Sequence, residues 1–92
     1  GGENVQPEAV EAVLAARGVE ALIVAVADDR YGARPVAFTR DGNAHDALAT
    51  ELLPSFARPI AWLAMPATRG LKPQRRELAH LAAARLGASP PR

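Results

Sequence analysis

Ninety-two residues suit one small domain, near the lower limit at which a single hydrophobic core holds without staples. The absence of cysteine excludes a disulfide framework and a thiolate metal centre, and the two separated histidines, His45 and His80, do not form a ligand pair by spacing. A net charge of +1 argues against a general polyanion binder, yet the charges are unevenly spread: six acids oppose two arginines up to Gly32, whereas six basic residues oppose Glu77 alone from Thr68 onward.

In chain order, the first helical signal begins at Pro7, whose missing N–H suits a first turn, and continues through Val10, Val13 and Leu14 until Gly18 stops it. Val19 to Ala27 is almost continuously apolar and β-branched, which predicts a strand buried on both faces and central in its sheet. Asp28 to Gly32 is turn chemistry, and Pro35 to Arg40 reads as a second strand with the proline at its start, so the pair forms a hairpin. Asn43 is placed to cap a helix running to Leu53, with Leu48 and Leu52 on one face and Pro54 as its end. Ile60 to Met65, between Pro59 and Pro66, predicts a third strand at an edge. The final helix, from Gln74 to Leu86, sets Leu78, Leu81, Ala82 and Leu86 along one stripe, and Gly87 caps it before a frayed tail, residues 88–92. The order αββαβα is an α+β arrangement, a small three-stranded sheet flanked by helices.

No run approaches the roughly 20 apolar residues that cross a bilayer, and no basic-then-apolar leader opens the chain, so a cytoplasmic location is the expectation. There is no Ser/His/Asp pattern, no Cys/His pair and no GxxxxGK[ST] phosphate loop. What remains is the basic loop from Thr68 to Pro73, flanked by Arg75 and Arg76, and it contains Lys72, the only lysine among eleven basic residues. Gly70 permits a tight backbone, and Pro73 biases Lys72 toward an extended conformation, so the ammonium is presented from a restricted loop. An ammonium is a compact charge suited to bridging oxygens of two different groups, whereas a guanidinium fork prefers a single carboxylate or phosphate. The same loop also reads as a solvated surface turn. His45 and His80 read as surface histidines, Asp28 and Asp29 as turn carboxylates, and Trp62 as core or partner packing.

Four segments in order, GGENVQPEAVEAVL (1–14), DDRYGARPVAF (28–38), LPSFARP (53–59) and PATRGLKPQRREL (66–78), resemble the C-terminal domain of the adenylate-forming superfamily, which includes acyl-CoA synthetases. The resemblance covers essentially the whole chain and implies a lid over residues 1–87. It implies a two-step reaction, in which a carboxylate attacks ATP to give an acyl-adenylate and pyrophosphate, and the thiol of coenzyme A then displaces AMP. By this resemblance Lys72 assists the first step, and Gly1, Gly2, Glu3 and Asn4 line the coenzyme A tunnel in the second. ATP and coenzyme A are then substrates, Mg2+ is held mainly by a large N-terminal domain, and that domain is the principal partner. Most members place glycine directly before the lysine, whereas here Leu71 intervenes and Pro73 follows. The spelling Gly70-Leu71-Lys72-x-x-Arg75, with Arg34 to Phe38 and Phe56 to Pro59, looks like the o-succinylbenzoate-CoA ligase branch of menaquinone or phylloquinone synthesis. This 92-residue piece alone is expected to be inactive. The alternative is a stand-alone basic module that uses Arg69, Lys72, Arg75 and Arg76 to dock an anion; the near-neutral charge and the lack of interleaved aromatics argue against nucleic acid.

Overall fold

Pro7 opens the first helix, α1 (Pro7–Ala15), at the position where a missing N–H removes no bond. The turn that follows the helix closes at Gly18, whose φ of 84° is the left-handed conformation that a side chain resists. There the Gly18 N–H donates to Ala15 O and the Val19 N–H to Leu14 O, each at 3.0 Å, which satisfies two terminal carbonyls and seats Leu14 and Val19 together in the core.

The computed structural model describes residues 6–30, 32–67 and 73–87. After α1 come β1 (Ala21–Asp28), β2 (Gly32–Thr39), α2 (Asp46–Leu52), a single 3-10 turn at Ser55–Ala57, β3 (Trp62–Ala64) and α3 (Arg75–Leu86). The expected αββαβα order and α+β class are therefore observed. The sheet order is β1-β2-β3, with β1 and β2 antiparallel and β2 and β3 parallel.

Strand alternation divides the core into two layers. Ile23 and Ala37 face Val10, Leu14, Ala49, Leu53 and Ala57, contributed by α1, α2 and the turn after it. Val24, Val26, Val36 and Phe38 face Leu78, Ala79, Ala82 and Ala83 of α3. Helices on both faces explain why β1 is apolar without interruption. Burying each such aliphatic or aromatic side chain contributes about 1.5–3 kcal/mol.

Several expectations are corrected. β1 is an edge strand, not the central one; continuous apolarity reports two covered faces and says nothing about covered edges. β2 begins at Gly32, so Pro35 lies inside the central strand and is fully buried. The ladder bonds explain the tolerance: Ile60 N–H donates to Pro35 O at 2.9 Å and Ala37 N–H to Ala61 O at 3.0 Å. The Pro35 nitrogen therefore faces the β3 side, ahead of the point where that ladder starts, and no bond is lost.

Asn43 does not cap α2, which begins at Asp46 after His45 with no side-chain cap. The Asn43 carbonyl instead accepts the Thr39 hydroxyl at 3.2 Å, tying the loop to the end of β2. β3 is an edge strand as expected, with only three residues in the ladder. In α3, Leu78 and Ala82 face the core with Ala79 and Ala83, while Leu86 is exposed. Leu86 is the last residue of the helix.

Candidate functional site

Lys72 and the segment Gly1, Gly2, Glu3 and Asn4 lie outside the described residues, as does the 88–92 tail. What is described is how the chain is fixed on either side of the Lys72 loop. β3 delivers the loop from the sheet end that also carries Thr39 and Ala21, since Ala64 pairs with Thr39 and Thr39 with Ala21. The Met65 N–H donates to Thr39 O at 2.8 Å, which fixes that departure. The return is through Pro73 and Gln74 into Arg75, the first residue of α3.

Arg75 in this position runs against electrostatics, because the start of a helix carries partial positive charge. Two acids of α1 compensate. Arg75 forms a two-point fork with Glu11, NH1 to Oε2 and NH2 to Oε1, the latter at 3.3 Å, and its NH2 lies 3.8 Å from Glu8. The hydrogen bond to Glu11 raises the Arg75 pKa above its ordinary value, opposed in part by burial and reinforced by the negative charges of Glu11 and Glu8.

The same two groups engage the edge of β1. Ala37 spends its N–H on β3, so its partner Ile23 belongs to a pair whose polar groups turn outward from the hairpin. The Ile23 N–H donates to Glu11 Oε2 at 2.7 Å, and Ile23 O accepts from Arg75 NH1 at 2.7 Å. A carboxylate and a guanidinium thus stand in for the peptide group of a neighbouring strand.

This arrangement alters the basic cluster read from sequence. Arg75 is committed to its own fold, whereas Arg76 and His80 are exposed beside an open groove of about 550 Å³ that also reaches Pro7 and Ala25. Pro7 follows Asn4 by three positions and Arg75 follows Lys72 by three, so one groove is bordered by residues near both segments singled out in the sequence. Losing Arg75 weakens the stand-alone basic module.

Other singled-out residues have structural roles. The Trp62 indole N–H donates to Asp46 Oδ1 at 2.9 Å, and its ring meets His45 edge-on at 5.5 Å, so the half-buried Trp62 joins β3 to the start of α2. Arg58 donates to Leu53 O at 2.9 Å and Thr50 O at 3.2 Å, capping α2 with a cation at its negative end. Among the described residues there is no group of three His, Cys, Asp or Glu that could hold a metal ion. No helix among them is long and apolar enough to cross a membrane.

No family model matches the chain. It is 39% identical to the 2-succinylbenzoate–CoA ligase of Salmonella typhimurium over 88 residues, covering 85% of this chain and 19% of that protein. It is also 39% identical to the Escherichia coli 2-succinylbenzoate–CoA ligase over 71 residues, covering 72% of this chain and 16% of that one. Wild-type E. coli MenE with a bound m-phenylether-linked analogue of OSB-AMS superposes with a TM-score of 0.75 at 36% identity, over 91% of this chain and 20% of that one. The chain is thus similar over most of its own length to part of the 2-succinylbenzoate–CoA ligases. A lysine-for-arginine variant of E. coli MenE with bound OSB-AMS superposes as well, with a TM-score of 0.75 over 89% of the chain. The chain therefore spans about a fifth of the length of the relatives it matches. This similarity agrees with the expected C-terminal domain of the adenylate-forming superfamily and with the branch that the Gly70-Leu71-Lys72 spelling indicates.

The fork and the Arg58 cap were not read from sequence. The available signal was slight: Glu11 sits beside Val10 at the margin of the apolar stripe of α1, and Arg75 sits where a helix prefers an acid.

Proposed function

We propose that the chain is the C-terminal lid, residues 1–87, of a cytoplasmic, ATP-dependent and AMP-forming 2-succinylbenzoate–CoA ligase, with residues 88–92 as a tail. The observation that carries this reading is the 39% identity to two proteins of that name, extending over as much as 85% of the chain. The partner is a large N-terminal domain that holds ATP, Mg2+ and the acyl pocket. The isolated chain has no activity of its own.

In the first half-reaction a carboxylate oxygen attacks the α-phosphorus and the bond to pyrophosphate breaks. The Lys72 ammonium contacts both the carboxylate and an α-phosphate oxygen, offsetting their repulsion and the charge that develops during transfer. In the second, the sulfur of coenzyme A attacks the acyl carbon and AMP leaves. Gly1, Gly2, Glu3 and Asn4 then border the pantetheine arm, the glycines allowing close backbone approach.

The test is Lys72→Ala in the full-length ligase. Pyrophosphate exchange is abolished, while thioester formation from supplied acyl-adenylate is largely kept. Equal loss in both half-reactions would remove the role assigned to Lys72. Lys72→Arg is also poor, because a planar fork replaces a point charge.

A further inference from the structure

The register of the hairpin decides which peptide groups of β1 look outward. Pro35 O and Ala37 N–H bond on the β3 side, so their partners Ala25 and Ile23 turn their own N–H and C=O to the free edge of the sheet. The Glu11–Arg75 fork takes up those of Ile23. Among the described residues nothing takes up those of Ala25. Ala25 instead lines the open groove of about 550 Å³, walled by Pro7 at the start of α1 and by Arg76, Ala79 and His80 of α3. Ala25 and Ala79 are small, which leaves room for a backbone to approach. Arg76 and His80, one turn apart, are exposed, and Arg76 has no ion pair among the described residues. No carboxylate lines the groove.

We propose that the Ala25 edge and Arg76 form a docking site for a short, extended, acidic segment of the ligase's large domain, whose backbone pairs with Ala25 and whose carboxylate reaches Arg76. This rests on the lid reading above, in which that domain supplies the rest of a protein of which this chain spans about a fifth.

The strength of the contact decides the occupant. Two backbone hydrogen bonds and one charged one give a dissociation constant of about 1 mM. A separate protein at about 10 μM would fill about 1% of such sites, whereas a tethered segment at an effective concentration of about 3 mM fills about three-quarters of them. A second copy of the chain is opposed by the fork as well. With Ile23 already bonded, the open edge runs only from there to the end of β1 at Asp28, too short for a full fourth strand.

The experiment measures amide hydrogen exchange in the purified full-length ligase and in the 92-residue chain, which carries its own two-layer core. The Ile23 amide, bonded to Glu11 in both, is the internal reference. Relative to Ile23, the Ala25 amide exchanges about fourfold more slowly in the full-length ligase, the slowing that three-quarters occupancy gives. Arg76→Glu, a charge that suits the first turn of α3, removes most of that slowing. Arg85→Glu, at an exposed cation in the last turn of the same helix, keeps it. Equal Ala25 exchange in the two proteins, or slowing that survives Arg76→Glu, overturns the docking site. Slowing that fades on dilution from about 100 μM to about 5 μM belongs to a second copy and overturns the tethered occupant. The lid reading is judged apart, by 2-succinylbenzoate-dependent pyrophosphate exchange in the same preparation. Its absence overturns that reading, whereas its presence with equal Ala25 amide exchange overturns the docking alone.

Discussion

Arg75 and Glu11, 64 positions apart in the chain, meet as a two-point fork, and between them they take up the outward N–H and C=O of Ile23. One contact thereby joins α1, α3 and the rim of the sheet. The fork is partly exposed, so its charge is screened, and the hydrogen bonds to Ile23 give it most of its structural value.

Arg75→Met is expected to lower unfolding free energy by about 2 kcal/mol, because it leaves a half-buried carboxylate and a strand carbonyl without their donor. Glu11→Gln should cost about 1 kcal/mol, since one oxygen still accepts from Ile23. Urea denaturation of the 92-residue chain with unchanged slope measures both. An Arg75→Met chain within about 0.5 kcal/mol of the parent would mean that water replaces the fork at little cost.

The stabilisation from Arg75 should not vary across ordinary pH. Its pKa is raised in the folded chain, chiefly by the hydrogen bond to Glu11. A raised pKa contributes stability that is fully present below the unfolded value and is lost only as pH climbs through the higher folded value. Both values lie far above neutrality, so the difference between parent and Arg75→Met stays flat from about pH 6 to 9. A slope in that window would point to another titrating group.

Two glycines should respond differently to alanine. Gly18 has φ of 84° with nothing within 4 Å of an added Cβ, so Gly18→Ala meets conformational strain alone, about 1 kcal/mol. At Gly42, φ is 75° and an added Cβ would stand 3.0 Å from the Ala64 backbone nitrogen. Strain and collision with β3 combine there, for about 2–3 kcal/mol. Thermal unfolding ranks the two, and a Gly18→Ala chain less stable than Gly42→Ala would contradict this close approach.

Arg58→Ala should loosen α2 more than the rest of the molecule. The Thr50 carbonyl of this seven-residue helix and the carbonyl of Leu53 just after it lose their donor, at about 1 kcal/mol. Amide exchange resolves this, with faster exchange in α2 and little change in β1 or β2. Arg58→Lys restores only part of the protection, because one ammonium does not match the two-point contact to Leu53 O and Thr50 O.

The order of elements was legible because its signals are local: Pro7 and Gly18 bound α1, and Pro59 and Pro66 restrict β3. Where reading failed, the deciding groups were distant. β1 resembles a central strand because α1 and α3 cover its two faces, while its open edge is met by side chains from residues 11 and 75. Pro35 looked like a strand start because the direction of its nitrogen depends on where β3 begins to pair. Asn43 fits a capping pattern, yet Thr39 draws its carbonyl back toward β2. In the basic loop Lys72 stood out by composition, but Arg75 looked like one more surface cation, because Glu11 is invisible from its neighbours.

The two rims of the sheet also bear on how copies of the chain meet. An open strand edge is a template for another chain, and small sheets with bare rims polymerise. Here β3 offers three residues between two prolines, and the first half of β1 already holds a charged fork where an incoming strand would need to bond. A neighbour would have to strip Glu11 and Arg75 from Ile23 before adding a fourth strand. The contact that orders the start of α3 thus also guards the sheet against self-association.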